Sequence, residues 1–197
     1  YELIHRGLSN EDLEALAVSG RLSVWLRSRG IDIGLLTEWL SLKSLAVNTM
    51  LNDAQDTLTK NTSTECKLIA HAFPPPWSRL SGMHFKDVAK CCDGIAVKLY
   101  TMHWSMMLRY YLDQIHTLNP QLSEDLLIKV LYQHFNISDN PPPLRIVDVK
   151  YPGPEDLHVH GPVVQKDKII EAQREAGATP VYSLIHGYGT EDDFKKR

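Results

Sequence analysis

The stretch that most constrains the fold of this chain is DGIAVKLYTMHW, residues 93–104. Its apolar part, residues 95–99, is too short for a helix of its own and is rich in the branched residues of buried parallel strands. Polar and aromatic side chains follow at the carboxyl end of this predicted strand, where parallel α/β sheets bind their ligands. The stretch therefore predicts both a sheet and the position of a site.

Two other stretches repeat this design. KLIAHAF (67–73) runs into PPPW (74–77), and PVYSLIH (180–186) runs into GYG (187–189). Each is an apolar strand that brings a histidine and an aromatic residue to its end, so we expect the three strands to line one site. The predicted substrate-binding residues are His71, Trp77, Lys98, Tyr100, His103, Trp104, His186 and Tyr188.

Composition excludes several classes of partner. The chain has 197 residues, of which 43% are hydrophobic and 23% charged, as in an ordinary globular protein. Its formal net charge of −3 gives no reason to expect nucleic acid or an anionic membrane as a partner. No apolar run approaches the roughly 20 residues that span a bilayer. The three cysteines make neither a disulfide framework nor a zinc-binding spacing.

Apolar periodicity and capping residues predict helices around the three strands. With helices between all the recognisable strands, the order predicts an α/β fold with a parallel sheet. A proline- and glycine-rich connection, 136–162, is expected to be a lid or an insertion, with a possible short strand at 145–149. The predicted helices cover about 10–20, 24–30, 37–58, 84–91, 105–118, 123–135 and 163–176, and another helix opens at 190–193.

The number of recognisable strands predicts part of a barrel. An eight-stranded barrel needs about 250 residues, and only three or four strands are recognisable here, the first at residue 67. We therefore expect a partial (β/α)8 TIM-type barrel whose N-terminal strands are missing from this chain. Residues 1–197 would be the C-terminal part of one domain of a longer protein, whose upstream segment would carry any localisation signal. Its expected parts are a helical lead-in (1–60), a βαβ unit with helices (66–135), the long loop (136–162) and a helix, a strand and the start of a last helix (163–197).

Two stretches of this sequence resemble a known family. FPPPWSRLSGMHF (73–85) followed by CDGIAVKLYTMHW (92–104) is similar to two consecutive strands of the uncharacterised glycoside-hydrolase-like barrels. TPVYSLIHGYG (179–189) is similar to a later strand of the same barrels, and the helix at 37–58 fits their long helix. The resemblance covers most of residues 20–197. It implies a carbohydrate-active hydrolase that binds sugar at the carboxyl-terminal face of the barrel.

The catalytic residues stay unassigned. Glycoside hydrolysis uses two carboxyl groups about 5 Å apart for retention or roughly 6.5–9.5 Å apart for inversion. The family's candidate acidic residues lie on earlier strands, and none of the three strand ends here presents a carboxylate pair. Asp93 precedes its strand, whereas the acidic run 191–193 suits the first turn of a helix.

The aromatic and polar residues at the strand ends suit a sugar better, because rings stack on its apolar face and donors bind its hydroxyls. Lys98 is the most informative of them. It lies in an apolar strand, where a buried ammonium group must pair with an anion or face a ligand. The expected partner is a carbohydrate or another small polar substrate, with no cofactor.

Two other functions remain open. A metal-dependent hydrolase would use HVH (158–160) with His71, His103 and His186 as imidazole ligands. However, metal-binding histidine pairs of this spacing normally lie on a strand, whereas this pair lies among prolines and glycines. The sequence therefore predicts no metal site. The other alternative is a barrel without catalytic activity that binds a glycan or a protein partner.

Overall fold

The computed structural model describes residues 7–19, 22–28, 30–62, 65–137, 140–156 and 159–196. The chain divides into two compact units. The helical unit comprises Tyr1–Ile33, Tyr100–Val164 and Gly187–Arg197, and the sheet unit comprises Gly34–Leu99 and Gln165–His186.

Helices hold more than half of the described residues. The helices are α1 (Asn10–Ser19), α2 (Leu22–Ser28), α3 (Ile33–Asn61), α4 (Trp77–Leu80), α5 (Phe85–Val88), α6 (Thr101–Leu118), α7 (Glu124–Phe135), α8 (Pro162–Ala176) and α9 (Glu191–Lys196), with a 3-10 helix at Ile146–Asp148. The strands are β1 (Ile69–Ala72), β2 (Gly94–Lys98) and β3 (Val181–Leu184).

The core of the helical unit forms where α6 and α7 bury their apolar faces. On α6, Leu108, Leu112 and Ile115 recur at helical spacing and are buried. Leu127 and Ile128 of α7 are buried as well. The buried faces of these two helices therefore hold the first turn of α6 in position.

Polar groups join the first helix of this unit to the rest. The amide of Leu8 donates a hydrogen bond of 2.9 Å to Oδ1 of the buried Asn119, and Nε2 of Gln133 donates to the carbonyl of Ala17 over 3.0 Å. Helix α7 ends at Phe135 and is capped by Asn136, whose left-handed backbone (φ 45°) is tolerated by asparagine better than by most residues.

The sheet unit contains a three-stranded parallel sheet in the order β1-β2-β3. Ile69 pairs with Gly94, and Ile95 pairs with Val181. The central strand β2 is buried from Gly94 to Val97, as expected for a strand with neighbours on both sides. This register sets the carboxyl ends of β1 and β2 side by side.

Helices α4 and α8 of the sheet unit are joined by an ion-pair cluster. The guanidinium of Arg79 lies 3.0 Å from a carboxylate oxygen of Glu171 and also pairs with Glu175. Lys168, one turn before Glu171 on α8, is buried. The cluster therefore places charges of both signs next to a buried lysine.

The expected fold class is wrong. The described residues form a mostly helical structure with one small sheet, and no barrel is evident in them. A barrel closes only when every strand has two neighbours, whereas β1 and β3 are edge strands of the described sheet. The three strands themselves and their parallel pairing are confirmed, because the local pattern of a βαβ unit is the same in an open sheet and in a barrel.

Two local expectations also change. The possible strand at 145–149 is instead the 3-10 helix Ile146–Asp148. Helix α6 begins at Thr101 rather than near residue 105, so His103 and Trp104 lie in its first turn and not in a loop. Within the described ranges, no helix combines the length and the apolar character needed to cross a membrane.

Candidate functional site

The candidate site is a cavity of about 290 Å³ in the helical unit, here called the polar cavity. Helix α6 contributes Thr101 and Ser105 to its wall, and α7 contributes Tyr132. The rest of the wall comes from the long connection after α7, which includes Asp148, Lys150, Asp156 and His160. Hydroxyl, carboxylate, ammonium and imidazole groups therefore line one cavity.

Ser105 and His160 are hydrogen-bonded in the wall of this cavity. The distance from Oγ of Ser105 to Nε2 of His160 is 3.1 Å, and Nδ1 of His160 lies against the carbonyl oxygen of Ile137. Because a carbonyl only accepts hydrogen bonds, Nδ1 carries a proton. In the neutral ring Nε2 is then an acceptor, and the Ser105 hydroxyl donates to it. Both residues are buried, with exposures of 4% and 2%.

Two aromatic rings hold the His160 ring in place. The ring centroid of Trp104 lies 5.4 Å from it and that of Tyr132 lies 6.1 Å from it. Burial raises the pKa of Tyr132 to about 12, so the phenol stays protonated near neutral pH. Its hydroxyl is buried without a hydrogen-bond partner among the described residues. The packing thus fixes the imidazole in a single orientation.

The polar cavity also brings two carboxylates to one wall. Asp148 ends the 3-10 helix, and Asp156 closes a turn in which its Oδ2 accepts a hydrogen bond of 2.7 Å from the amide of Gly153. Both aspartates are exposed, and Lys150 contributes a cation to the same wall. Neither aspartate was predicted from the sequence, because both lie in an irregular connection, where no periodicity marks a shared face.

A chain of aromatic rings, here called the ring cluster, lies at the edge of the polar cavity. The centroids of Tyr100 and His103 are 5.9 Å apart, those of His103 and Tyr151 are 6.1 Å apart, and those of Tyr151 and Tyr188 are 5.5 Å apart. The hydroxyl of Tyr188 donates a hydrogen bond of 2.9 Å to the carbonyl of Pro152, which itself lines the cavity. This bond places the cluster beside the cavity.

The ring cluster is open to solvent and lies near a negative charge. His103 and Tyr151 are exposed. Loss of hydration, followed by the nearby Tyr151 and Asp156, raises the pKa of Tyr188. The cluster therefore offers ring faces and phenol groups next to the carboxylate of Asp156.

The predicted substrate-binding residues divide between the two units. Tyr100, His103 and Tyr188 come together in the ring cluster, although Tyr151, which joins them, was not predicted. In the sheet unit, His71 and Lys98 line a second cavity. That all eight residues line one site stays a prediction.

The other three predicted residues line neither of these cavities and lie outside the ring cluster. Trp77 and Trp104 are buried, with exposures of 2% and 1%, so they are core residues of their units and leave no ring face open for stacking. His186 is half-buried, two residues beyond the end of β3.

The histidine pair considered for a metal site is only partly described. His158 lies outside the described residues, and His160 uses both ring nitrogens in contacts with Ser105 and Ile137. Within the described part of the chain, no group of three or more His, Cys, Asp or Glu residues is placed to hold a metal ion.

Comparisons with protein-family models, with curated proteins and with solved structures gave no match for this chain. The resemblance to glycoside-hydrolase-like proteins rests on the stretches quoted above.

Proposed function

We propose that this chain acts on a carbohydrate, which binds in the polar cavity against the ring cluster. The observation that carries this proposal is the placement of Asp148, Lys150 and Asp156 in one cavity with exposed rings at its edge. Sugars present hydroxyl groups to charged and polar side chains, and their apolar face stacks on aromatic rings. The lining of the cavity supplies the first kind of contact, and Tyr151 supplies the second.

Hydrolysis of a glycosidic bond is the reaction that this pair of carboxylates favours. One carboxylic acid protonates the leaving oxygen while the other carboxylate attacks the sugar or activates water. Asp148 and Asp156 are the candidates for this pair, because they are the carboxylates in the wall of the polar cavity.

The test is a cleavage assay with aryl glycosides and with oligosaccharides of several linkages. Asp148→Asn and Asp156→Asn should each lower the cleavage rate by at least about 100-fold, as expected when a general acid or base is removed. Asp53→Asn, which changes an exposed aspartate on α3, is the matched control and should leave the rate unchanged. If cleavage continues at the original rate in both variants, Asp148 and Asp156 are not the catalytic carboxyl groups. Binding without cleavage by the unchanged protein would favour a glycan-binding protein.

The hydrogen bond between Ser105 and His160 favours a second function, the hydrolysis of an ester. A serine beside a histidine that is itself oriented by a third group is the arrangement of a nucleophile and its general base. Here the carbonyl of Ile137 is the third group. Oγ of Ser105 would form a bond to the ester carbon while its proton passes to Nε2 of His160.

The same proton would complete the reaction. It would pass from His160 to the departing alcohol, and a water molecule would then release the acid from Ser105, with His160 again accepting and returning a proton. A fluorophosphonate probe tests this directly. Mass spectrometry should find the adduct on Ser105, and Ser105→Ala should abolish labelling. An unlabelled protein would assign the pair a structural role alone.

A further inference from the structure

The sheet unit contains a cavity of about 410 Å³, here called the Lys98 cavity, whose wall differs from that of the polar cavity. Helix α3 contributes Val47, Met50 and Leu51, and β1 contributes Ile69. Most of this wall is apolar. Its volume is within the roughly 300–1,000 Å³ typical of small-molecule sites.

Lys98 is the cation in this apolar wall. It ends β2 and is half-buried. Its Nζ lies 5.3 Å from the centroid of the Phe73 ring, and the described residues provide it with no carboxylate within ion-pair distance. The Phe73 ring attracts an ammonium group but does not neutralise it. A partly desolvated ammonium group gains most from an anion that reaches it from the cavity.

The other polar groups of the wall do not supply that anion. His71, on the neighbouring strand β1, and Ser81 are the remaining polar side chains in the lining of the Lys98 cavity. The Ser81 hydroxyl donates its hydrogen to the carbonyl of Ser78 over 2.8 Å, so the His71 imidazole is the group that can assist Lys98 in holding an anion. The wall therefore combines an apolar surface with donors that suit an anionic group.

We propose that the Lys98 cavity binds an amphipathic carboxylic acid. Its carboxylate would pair with the Lys98 ammonium, and its apolar chain would lie against α3 and β1. A sugar suits this cavity poorly, because an apolar wall leaves most of its hydroxyls without partners. The proposal is independent of the function assigned to the polar cavity, because the residues that carry it lie in the sheet unit.

The test compares two ligands that differ only in charge. Titration calorimetry of the full protein chain is done with sodium decanoate and with decan-1-ol, each below its aggregation concentration. The comparison separates the contribution of the carboxylate to binding from that of the apolar hydrocarbon tail. Decanoate should bind at least about tenfold more tightly than the alcohol, the ratio expected for a hydrogen bond to a charged group. Equal affinities, or no binding of decanoate, would overturn the proposal.

Variants then assign the preference to Lys98. Lys98→Met should remove the preference for decanoate while the alcohol binds as before, and Lys98→Arg should retain it. Lys86→Met, at an exposed lysine on α5, should leave both affinities unchanged. Leu51→Trp should fill the cavity and lower the affinity for both ligands. An undiminished preference in Lys98→Met, with circular dichroism unchanged, would contradict the assignment.

Discussion

Ser105 donates a hydrogen bond from Oγ to Nε2 of His160 over 3.1 Å, and both residues are buried in the helical unit. Since Nδ1 of His160 donates to the carbonyl of Ile137, the imidazole connects helix α6 to the end of α7. This hydrogen bond therefore contributes to the stability of the fold whether or not Ser105 and His160 are also catalytic.

Ser105→Ala should lower the free energy of unfolding by about 1–3 kcal/mol, because it removes a buried hydrogen bond to the His160 ring. Ser41→Ala is the control, since the Ser41 hydroxyl makes an exposed hydrogen bond to the carbonyl of Thr37 in its own helix. Urea denaturation of the two variants should differ clearly. Equal stabilities would mean that the buried bond contributes nothing.

Leu108→Ala should destabilise the protein by about 2–5 kcal/mol, because it leaves a cavity between α6 and its neighbours. Leu108 is fully buried, whereas Met106 on the same helix is 46% exposed. Met106→Ala should change the stability by no more than about 0.5 kcal/mol. Chemical denaturation monitored by far-ultraviolet circular dichroism checks both values, and a small effect of Leu108→Ala would contradict the packing of α6.

Gly82→Ala should be more damaging than Gly177→Ala, although both glycines have positive φ angles, +86° and +64°. At Gly177 nothing lies within 4 Å of an added Cβ, so the cost is the left-handed strain alone, about 1–2 kcal/mol. At Gly82 the added atom would lie 2.7 Å from the backbone carbonyl oxygen of Lys43. Denaturation midpoints in the reverse order would contradict this close approach of α3.

Lys168 should give the stability a specific dependence on alkaline pH. Burial lowers its pKa to about 8, an effect that Glu171 opposes and Arg79 reinforces. The pKa of lysine in the unfolded chain is about 10.4. Between these two values the unfolded chain binds more protons, so the contribution of Lys168 to stability rises with pH through this window.

The comparison with Lys168→Met isolates this effect. The difference in unfolding free energy, wild type minus variant, should rise by at most about 3 kcal/mol from below pH 8 to about pH 10.5, and it should be flat at lower pH. Arg79→Met should raise the pKa of Lys168 in the folded chain and so narrow the pH range over which the stability difference rises. A difference that does not change across the window would show that Lys168 titrates normally in the folded chain.

The three strands could be predicted from the sequence because each lies in a short, mainly apolar run bounded by turns or prolines. The number of strands in the sheet could not be predicted, because closure of a sheet into a barrel depends on pairing between distant segments and not on any single apolar stretch. The parallel pairing of β1 and β2 was predictable from the βαβ order, and it also explains why His71 and Lys98 reach one cavity.

The polar cavity was harder to foresee. Trp104 was expected to stack on a ligand, but α6 begins at Thr101, and in its first turn this ring faces His160. An aromatic residue after a strand carries no local sign of whether it points inward. Asp148 and Asp156 line the same cavity although they lie in an irregular connection, and the amino-acid pattern of that connection gives no period from which to infer this.

Chemical-shift mapping tests the carbohydrate proposal most directly. The ¹⁵N-labelled chain would be titrated with cellohexaose, xylohexaose, chitohexaose and maltohexaose. At least one of them should shift the amide signals of Thr101, His103, Tyr151 and Tyr188, and Tyr151→Ala should weaken this binding several-fold through loss of ring stacking. Unchanged spectra with all four sugars, or shifts confined to the sheet unit, would contradict the proposal that the polar cavity and the ring cluster bind a carbohydrate.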